Sequence, residues 1–110
     1  MTEAKTPKQF FEEILPNRFK PEKAKDIDVT VQIMITGSKS GEWIVTIKNQ
    51  KLEVKEGRHP SPTLTLEMGR EDYMDLINGR LSGEKAFLLG KLKFKGNIGI
   101  ALKLREAGFL

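Results

Sequence analysis

Between Ile27 and Met68 the chain falls into four runs whose apolar side chains return every second residue, and no other feature restricts its fold as much. In DIDVTVQIMIT, Ile27, Val29, Val31, Ile33 and Ile35 share one face, while Asp28, Thr30, Gln32 and Met34 share the other. EWIVTIK brings Trp43, Val45 and Ile47 to one face; KLEVKEG does so with Leu52 and Val54, and TLTLEM with Leu64, Leu66 and Met68. A period of two is that of a strand buried on one side. Four such strands predict an antiparallel sheet covered on its apolar face only. GSKSG is a turn, and Asn49-Gln50 suits a tight hairpin whose type stays open without a glycine. RHPSP is a rigid, proline-punctuated loop.

Helical spacing before and after these runs supplies the cover. Thr6 is placed to cap a helix, Pro7 suits its first position, and Gln9 completes a capping box. Phe10, Phe11, Ile14 and Leu15 then share a face, and Pro16 is expected to end the helix. After the strands, GREDYMDLING predicts a helix with Glu71 and Asp72 at its positive end, Tyr73, Leu76 and Ile77 inward, and Gly79 as the stop. Ser82 caps a second helix bearing Ala86, Phe87, Leu88 and Leu89, ended by Gly90. KLKFK returns as a strand and NIGIALKLREA closes as a helix. The predicted order is αββββααβα: an α+β fold with helices over one face of a five-stranded, mostly antiparallel sheet. At 110 residues, 1–110 is expected to be one domain.

Several kinds of chemistry are disfavoured. There is no cysteine for a thiolate, a disulfide or a Cys-type metal site. The single histidine, His59, precedes a proline in a loop. Glu12-Glu13 and Glu71-Asp72-Asp75 lie on helices whose other faces are apolar, so solvation and helix dipoles account for them. The glycines around Gly90 and Gly96 do not have the spacing of a phosphate-binding loop. No enzyme activity, metal or cofactor is expected. No run approaches the ~20 apolar residues of a membrane span, and MTEAKTPKQFFEEIL lacks the apolar core of a signal peptide. A soluble, cytoplasmic protein, monomeric or weakly dimeric, is the expectation.

The net charge of +4 arises entirely from residue 86 onward, where five Lys/Arg face one Asp/Glu. Such a patch favours phosphate groups or acidic lipid headgroups, or is simply a solvated fringe. Nucleic acid is not the expected partner. The outward sheet face offers Asp28, Thr30, Gln32, Thr46, Lys48, Glu53, Thr65 and Glu67, which is neither basic nor aromatic. Periodicity turns Phe10, Phe11, Trp43, Phe87 and Phe94 inward instead. In the last helix, Ile98, Ile100, Ala101, Leu102 and Leu104 spread over roughly 200°, wider than one buried stripe needs. Either the protein packs it on two sides, or one flank meets the sheet and the other a cavity. Gly99 within it points to a close backbone approach.

PTLTLEM followed by YMDLINGRLSGEKAFLLGKLKFKGNIGIALKL resembles the sterol carrier protein 2 (nonspecific lipid-transfer protein) domain family. The diagnostic part is Gly79-Arg-Leu, then Ala86-Phe87, the Lys/apolar strand between Gly90 and Gly96, and the closing apolar helix. The resemblance implies helices and sheet enclosing an apolar tunnel for fatty acid, fatty acyl-CoA, phospholipid or sterol, bound and transferred without catalysis. Matching positions place Val31, Ile33, Val45, Leu64, Leu66 and Met68 on its sheet side. Ile77, Phe87, Leu88, Phe94, Ile98 and Leu102 would line the helical side. Lys91, Lys93, Lys95, Lys103 and Arg105 would meet a headgroup, a coenzyme A phosphate or, transiently, an anionic membrane. The alternative is an accessory or protein-interaction module of the same fold. Eukaryotic members commonly end in a Ser-Lys-Leu type tripeptide; this chain ends Gly108-Phe109-Leu110, so peroxisomal targeting is not expected.

Overall fold

In the computed structural model, residues 4–37 and 41–106 are described, the side chains of 104–106 excepted. The strands are β1 (Val29–Thr36), β2 (Gly41–Lys48), β3 (Lys51–Glu56), β4 (Leu64–Gly69) and β5 (Leu92–Lys95). They form one sheet of order β3-β2-β1-β4-β5. The inward positions of β1, β2 and β4 are all buried, as the period-two pattern demands. Asn49 and Gln50, with φ of 52° and 61°, close the β2–β3 hairpin. Two successive positive angles are those of a type I′ turn, here made without glycine.

One pairing departs from an all-antiparallel meander. β1 runs parallel to β4, with Val31 opposite Leu64 and Ile35 opposite Met68. The other three neighbours are antiparallel. Parallel neighbours need a crossover, and residues 57–63 provide it. Seven residues of extended chain span roughly 23 Å, about the length of β1. The strap begins at Gly57, whose N–H donates to the Glu42 carbonyl, and ends at Thr63, whose N–H donates to the Thr30 carbonyl. Between them the Arg58 guanidinium binds both carboxylate oxygens of Glu42. Pro60 and Pro62 favour the extended backbone this path requires. The strap lies over the outward sheet face, which periodicity predicts to be solvated, and it buries Gln32 there.

The helices occupy the opposite face. The first, α1, comprises helical turns Pro7–Gln9 and Leu15–Arg18 joined by a π-helical stretch, Phe10–Ile14. The Thr6 hydroxyl caps it by accepting from Gln9 N–H at 3.0 Å, and the Gln9 carboxamide accepts from Lys5 N–H at 2.8 Å. Pro16 does not end this helix, contrary to expectation; the helix runs through it to Arg18. Within an α-helix a proline ring collides with the carbonyl four residues back. Here the preceding turn is widened, Leu15 N–H reaching back to the Phe10 carbonyl, which makes room for the ring. Helix α2 (Arg70–Ile77) buries Tyr73, Met74, Leu76 and Ile77. Phe10, Phe11, Tyr73 and Trp43 form one aromatic cluster, with Phe11 stacked on Trp43 at 4.9 Å and on Tyr73 at 5.8 Å.

Helix α3 (Gly83–Leu88) and helix α4 (Ile98–Glu106) flank β5 in the chain. Ser82 caps α3 by accepting from Lys85 N–H at 3.1 Å. Helices α2 and α3 both end in a Schellman turn. Arg80 N–H reaches the Asp75 carbonyl and Gly79 N–H that of Leu76; Lys91 N–H reaches Ala86 and Gly90 N–H reaches Phe87. The glycines take φ of 79° and 74°, which side chains disfavour. The element order and α+β architecture are those expected from the sequence.

Candidate functional site: an apolar groove between the last two helices

An apolar groove of about 110 Å³ lies between α3, β5 and α4, lined by Gly83, Glu84, Phe87, Leu92, Phe94, Ile98, Ala101 and Leu102. Strand alternation turns Leu92 and Phe94 toward it and sends Lys93 and Lys95 outward. Cross-strand register seats Leu92 beside Met68 and Phe94 beside Leu66, so the groove floor rests on the edge of the core. One wall is Phe87 of α3. Ile98, Ala101 and Leu102 of α4 form the other, at the i, i+3, i+4 spacing of one helical flank. Ile100, on the other flank, packs against the core. The broad apolar arc of this helix thus serves two surfaces, the core and the groove.

Asn97 sets where α4 begins. Its Oδ1 accepts from Gly99 N–H at 2.7 Å and Ile100 N–H at 3.3 Å. A Cβ on Gly99 would meet that same oxygen at 3.0 Å and, among the described residues, no side chain of another element within 4 Å. The close approach expected at Gly99 is therefore to the cap of its own helix. The glycine with a tertiary role is Gly96, at φ 133°. A Cβ there would collide with the Leu64 side chain and stand 3.0 Å from the Thr63 carbonyl oxygen.

Twelve residues were expected to line a tunnel, and the structure divides them. Phe87, Phe94, Ile98 and Leu102 meet at the groove. Val31, Ile33, Val45, Leu64, Leu66, Met68 and Ile77 lie in the buried core beneath α1 and α2, packed with Phe10, Phe11 and Tyr73. Leu88 is 82% exposed and belongs to neither. Phe87, expected to point inward, is half exposed at the groove's edge, because Ala86 takes the fully buried position on α3. Leu92 and Ala101 also line the groove, although the family resemblance does not mark them. The alternation of β5 and the spacing from Ile98 are the signals that mark them.

None of the described basic side chains lines the groove. Lys91 lies 3.5 Å from Asp72 and Lys93 3.4 Å from Glu67. Lys95 and Lys103 are exposed. The side chain of Arg105 and the segment Gly108-Phe109-Leu110 fall outside the described residues. Glu84 is the one charged residue of the groove lining. His59 Nδ1 accepts from Ser61 N–H at 3.0 Å, which braces the strap. Among the described residues, no three His, Cys, Asp or Glu side chains are grouped to hold a metal ion. Among them, too, no helix is long and apolar enough to cross a membrane. A larger cleft of about 660 Å³ beside the start of α1 is lined by Thr6, Pro7, Trp43 and the charged Lys8, Glu42, Glu56 and Arg70. It contains none of the predicted site residues.

A sequence model of the SCP-2 sterol transfer family matches residues 9–107. Human sterol carrier protein 2 is 36% identical over 70 residues, which are 64% of this chain and 13% of that protein. The solution structure of palmitated SCP2L2 from Aedes aegypti superimposes with a TM-score of 0.72 at 28% identity, covering 92% of each chain. The sec-alkylsulfatase Pisa1 from Pseudomonas shares the fold, with a TM-score of 0.79 at 20% identity over 93% of this chain and 16% of its own.

Proposed function

Because the chain belongs to the SCP-2 sterol transfer family, we propose that it binds the acyl chain of a fatty acid, fatty acyl-CoA or phospholipid in the groove between α3 and α4 and carries it without chemical change. The single observation that carries this reading is the groove itself: an apolar channel with half-exposed Phe87, Ile98 and Leu102 on its walls. Such side chains gain by being covered, and an acyl chain covers them. The palmitated state of the Aedes aegypti relative favours an acyl ligand over a sterol. A volume of about 110 Å³ is below the ~300 Å³ of sites that enclose a whole small ligand. Loading therefore involves α4 moving away from α3, or a chain left partly uncovered along the groove. Lys91 after α3 and Lys103 on α4 would meet the headgroup, a coenzyme A phosphate or an anionic membrane in passing, whereas Lys93 and Lys95 face the other side of the sheet.

Transfer follows from the energetics of burial. Each methylene taken from water yields ~0.8 kcal/mol, in a bilayer or in protein alike. Exchange between the two is thus close to balanced, and loading and unloading need no chemical energy. Residues 1–110 would act as one lipid-binding domain, as a monomer or weak dimer. The chain spans 13% of human sterol carrier protein 2 and 21% of a frog hydroxysteroid dehydrogenase-like protein 2. This favours a second reading, an accessory module beside an enzyme.

The test is displacement of a fluorescent fatty-acid probe from delipidated protein. Micromolar binding is expected, and Ile98→Glu with Leu102→Glu should weaken it by at least tenfold while circular dichroism stays unchanged. Both positions are about half exposed or more, so the variant folds. No binding by the parent at any chain length sinks the carrier and leaves the accessory module. Undiminished binding by the variant moves the ligand elsewhere.

A further inference from the structure

We propose that the cleft at the start of α1 is a second binding site, for a small zwitterion whose oxyanion and ammonium groups stand close together. The cleft, of about 660 Å³, lies between the first turn of α1, the start of β2, the end of β3 and Arg70 at the start of α2. Sites for small molecules have this size. It stands on the β3 side of the sheet, whereas the groove stands on β5 at the other edge. Arg70 carries the inference. Its Nε is buried, and no described residue accepts a hydrogen bond from it. The guanidinium also enters none of the ion pairs among the described residues. A buried charged donor without an acceptor is costly, and a folded chain keeps one where an acceptor arrives from outside.

The rest of the wall says what that acceptor is. Lys8 of α1 brings a second cation, and a guanidinium and an ammonium group in one cleft suit a carboxylate or phosphate. Trp43 adds a neutral donor, since Nε1 is the indole atom nearest Gly41 in the same wall. Glycine leaves it open, because a Cβ at Gly41 would stand 3.3 Å from Nε1. Two acids share the cleft, and they differ. Glu42 is neutralised by Arg58, whose hydrogen bonds to both carboxylate oxygens hold its pKa below the usual carboxylate value. Glu56 sits opposite Trp43 in the β2–β3 register, so its side chain leaves the same face of the sheet. It has no ion-pair partner among the described residues. A carboxylate so placed opposes a simple anion and attracts an ammonium group. A ligand bearing both charges satisfies Arg70, Lys8 and Glu56 together. An amino acid and a phosphoethanolamine unit share this chemistry. The site stands whether or not the groove carries lipid.

The experiment is titration of the full chain with phosphoethanolamine, glycine and inorganic phosphate, read by calorimetry and by the emission of Trp43. Saturable binding of one zwitterion, about fivefold or more tighter than phosphate, is expected. Arg70→Gln should weaken it by about tenfold or more, and Glu56→Gln should erase the preference over phosphate. Fatty-acid probe binding should stay unchanged in both. Lys8→Ala, at an exposed position, should also weaken binding and decides the matter if Arg70→Gln unfolds. Tighter binding of phosphoethanolamine assigns the oxyanion to a phosphate, and tighter binding of glycine assigns it to a carboxylate. No saturable binding of either zwitterion, or variants at Arg70 and Lys8 that both bind like the parent, overturns the site. A preference for phosphate over both zwitterions, or one for a zwitterion that survives Glu56→Gln, overturns the ligand class. Loss of probe binding in a folded Arg70→Gln variant would make the cleft the headgroup end of the lipid site, not a second one. A parent that binds a zwitterion but no probe would sink the carrier and leave this site.

Discussion

Gln32 shows how one side chain can belong to a different environment from the one its neighbours predict. It sits on the outward face of β1, between Thr30 and Met34, yet is 3% exposed. Its carboxamide donates to the Gly57 carbonyl at 3.0 Å and the Trp43 carbonyl at 3.3 Å, and accepts from His59 N–H at 2.7 Å. A buried amide with these partners is well satisfied, and it clamps the strap on the sheet. Tyr73 is the opposite case, since its hydroxyl is buried without a hydrogen-bond partner among the described residues. Burial pushes its pKa well above the usual tyrosine value of 10.0, an effect that Arg18 only partly opposes. The folded state thus keeps the proton that the unfolded chain releases near pH 10. Stability is unaffected below that pH and falls above it, by up to about 1.4 kcal/mol per pH unit. As Tyr73 is the only tyrosine, tyrosinate absorbance near 295 nm should rise only as circular dichroism is lost. A phenolate that forms in the native protein would contradict the burial, and Tyr73→Phe should remove this alkaline loss.

At the scale of elements, chain ends and joints carry most of the specificity. The caps at Thr6 and Ser82 and the glycines at 79 and 90 are local devices, legible because each answers a backbone need within a few residues. Gly96 answers a tertiary need. It lets β5 close on Thr63 and Leu64 at the start of β4, and so holds the groove floor against the core. Gly96→Ala adds a methyl group into that contact at a backbone angle alanine disfavours, and should cost about 1–3 kcal/mol, read as a lower urea midpoint. A variant as stable as the parent would mean that β5 is free to shift. The π-helical stretch before Pro16 was not legible in this way. Whether a proline ends or widens a helix depends on the burial gained by continuing, and here continuation buries Leu15 and brings Arg18 Nη1 to the Ile77 carbonyl at 3.0 Å.

For the whole molecule, the question is where a ligand lies. The only tryptophan, Trp43, is stacked on Phe11 and paired across the sheet with Ile33, one of the interior residues that the family resemblance places along a tunnel. The groove lies on β5, three strands away in the sheet order. A fatty acid confined to the groove should leave the tryptophan emission maximum unchanged at saturation. A shift on binding would show that the chain threads into the core among Val31, Ile33 and Val45.

Period-two and helical patterns, caps and glycine stops determined the strands, the helices, their order and the inward face, because those signals act between residues close in the chain. The family resemblance placed Phe87, Phe94, Ile98 and Leu102 among twelve candidates, Leu88 included, for one apolar surface. Only the tertiary structure decided that β4 lies parallel to β1, that the strap from Gly57 to Thr63 covers Gln32, and which of twelve candidate residues meet at the groove. Periodicity says that a side chain leaves a solvated face but not what covers it. For Val31 the cover is the packed core, whereas at Ile98 it is left incomplete, and that difference arises only when distant elements are brought together.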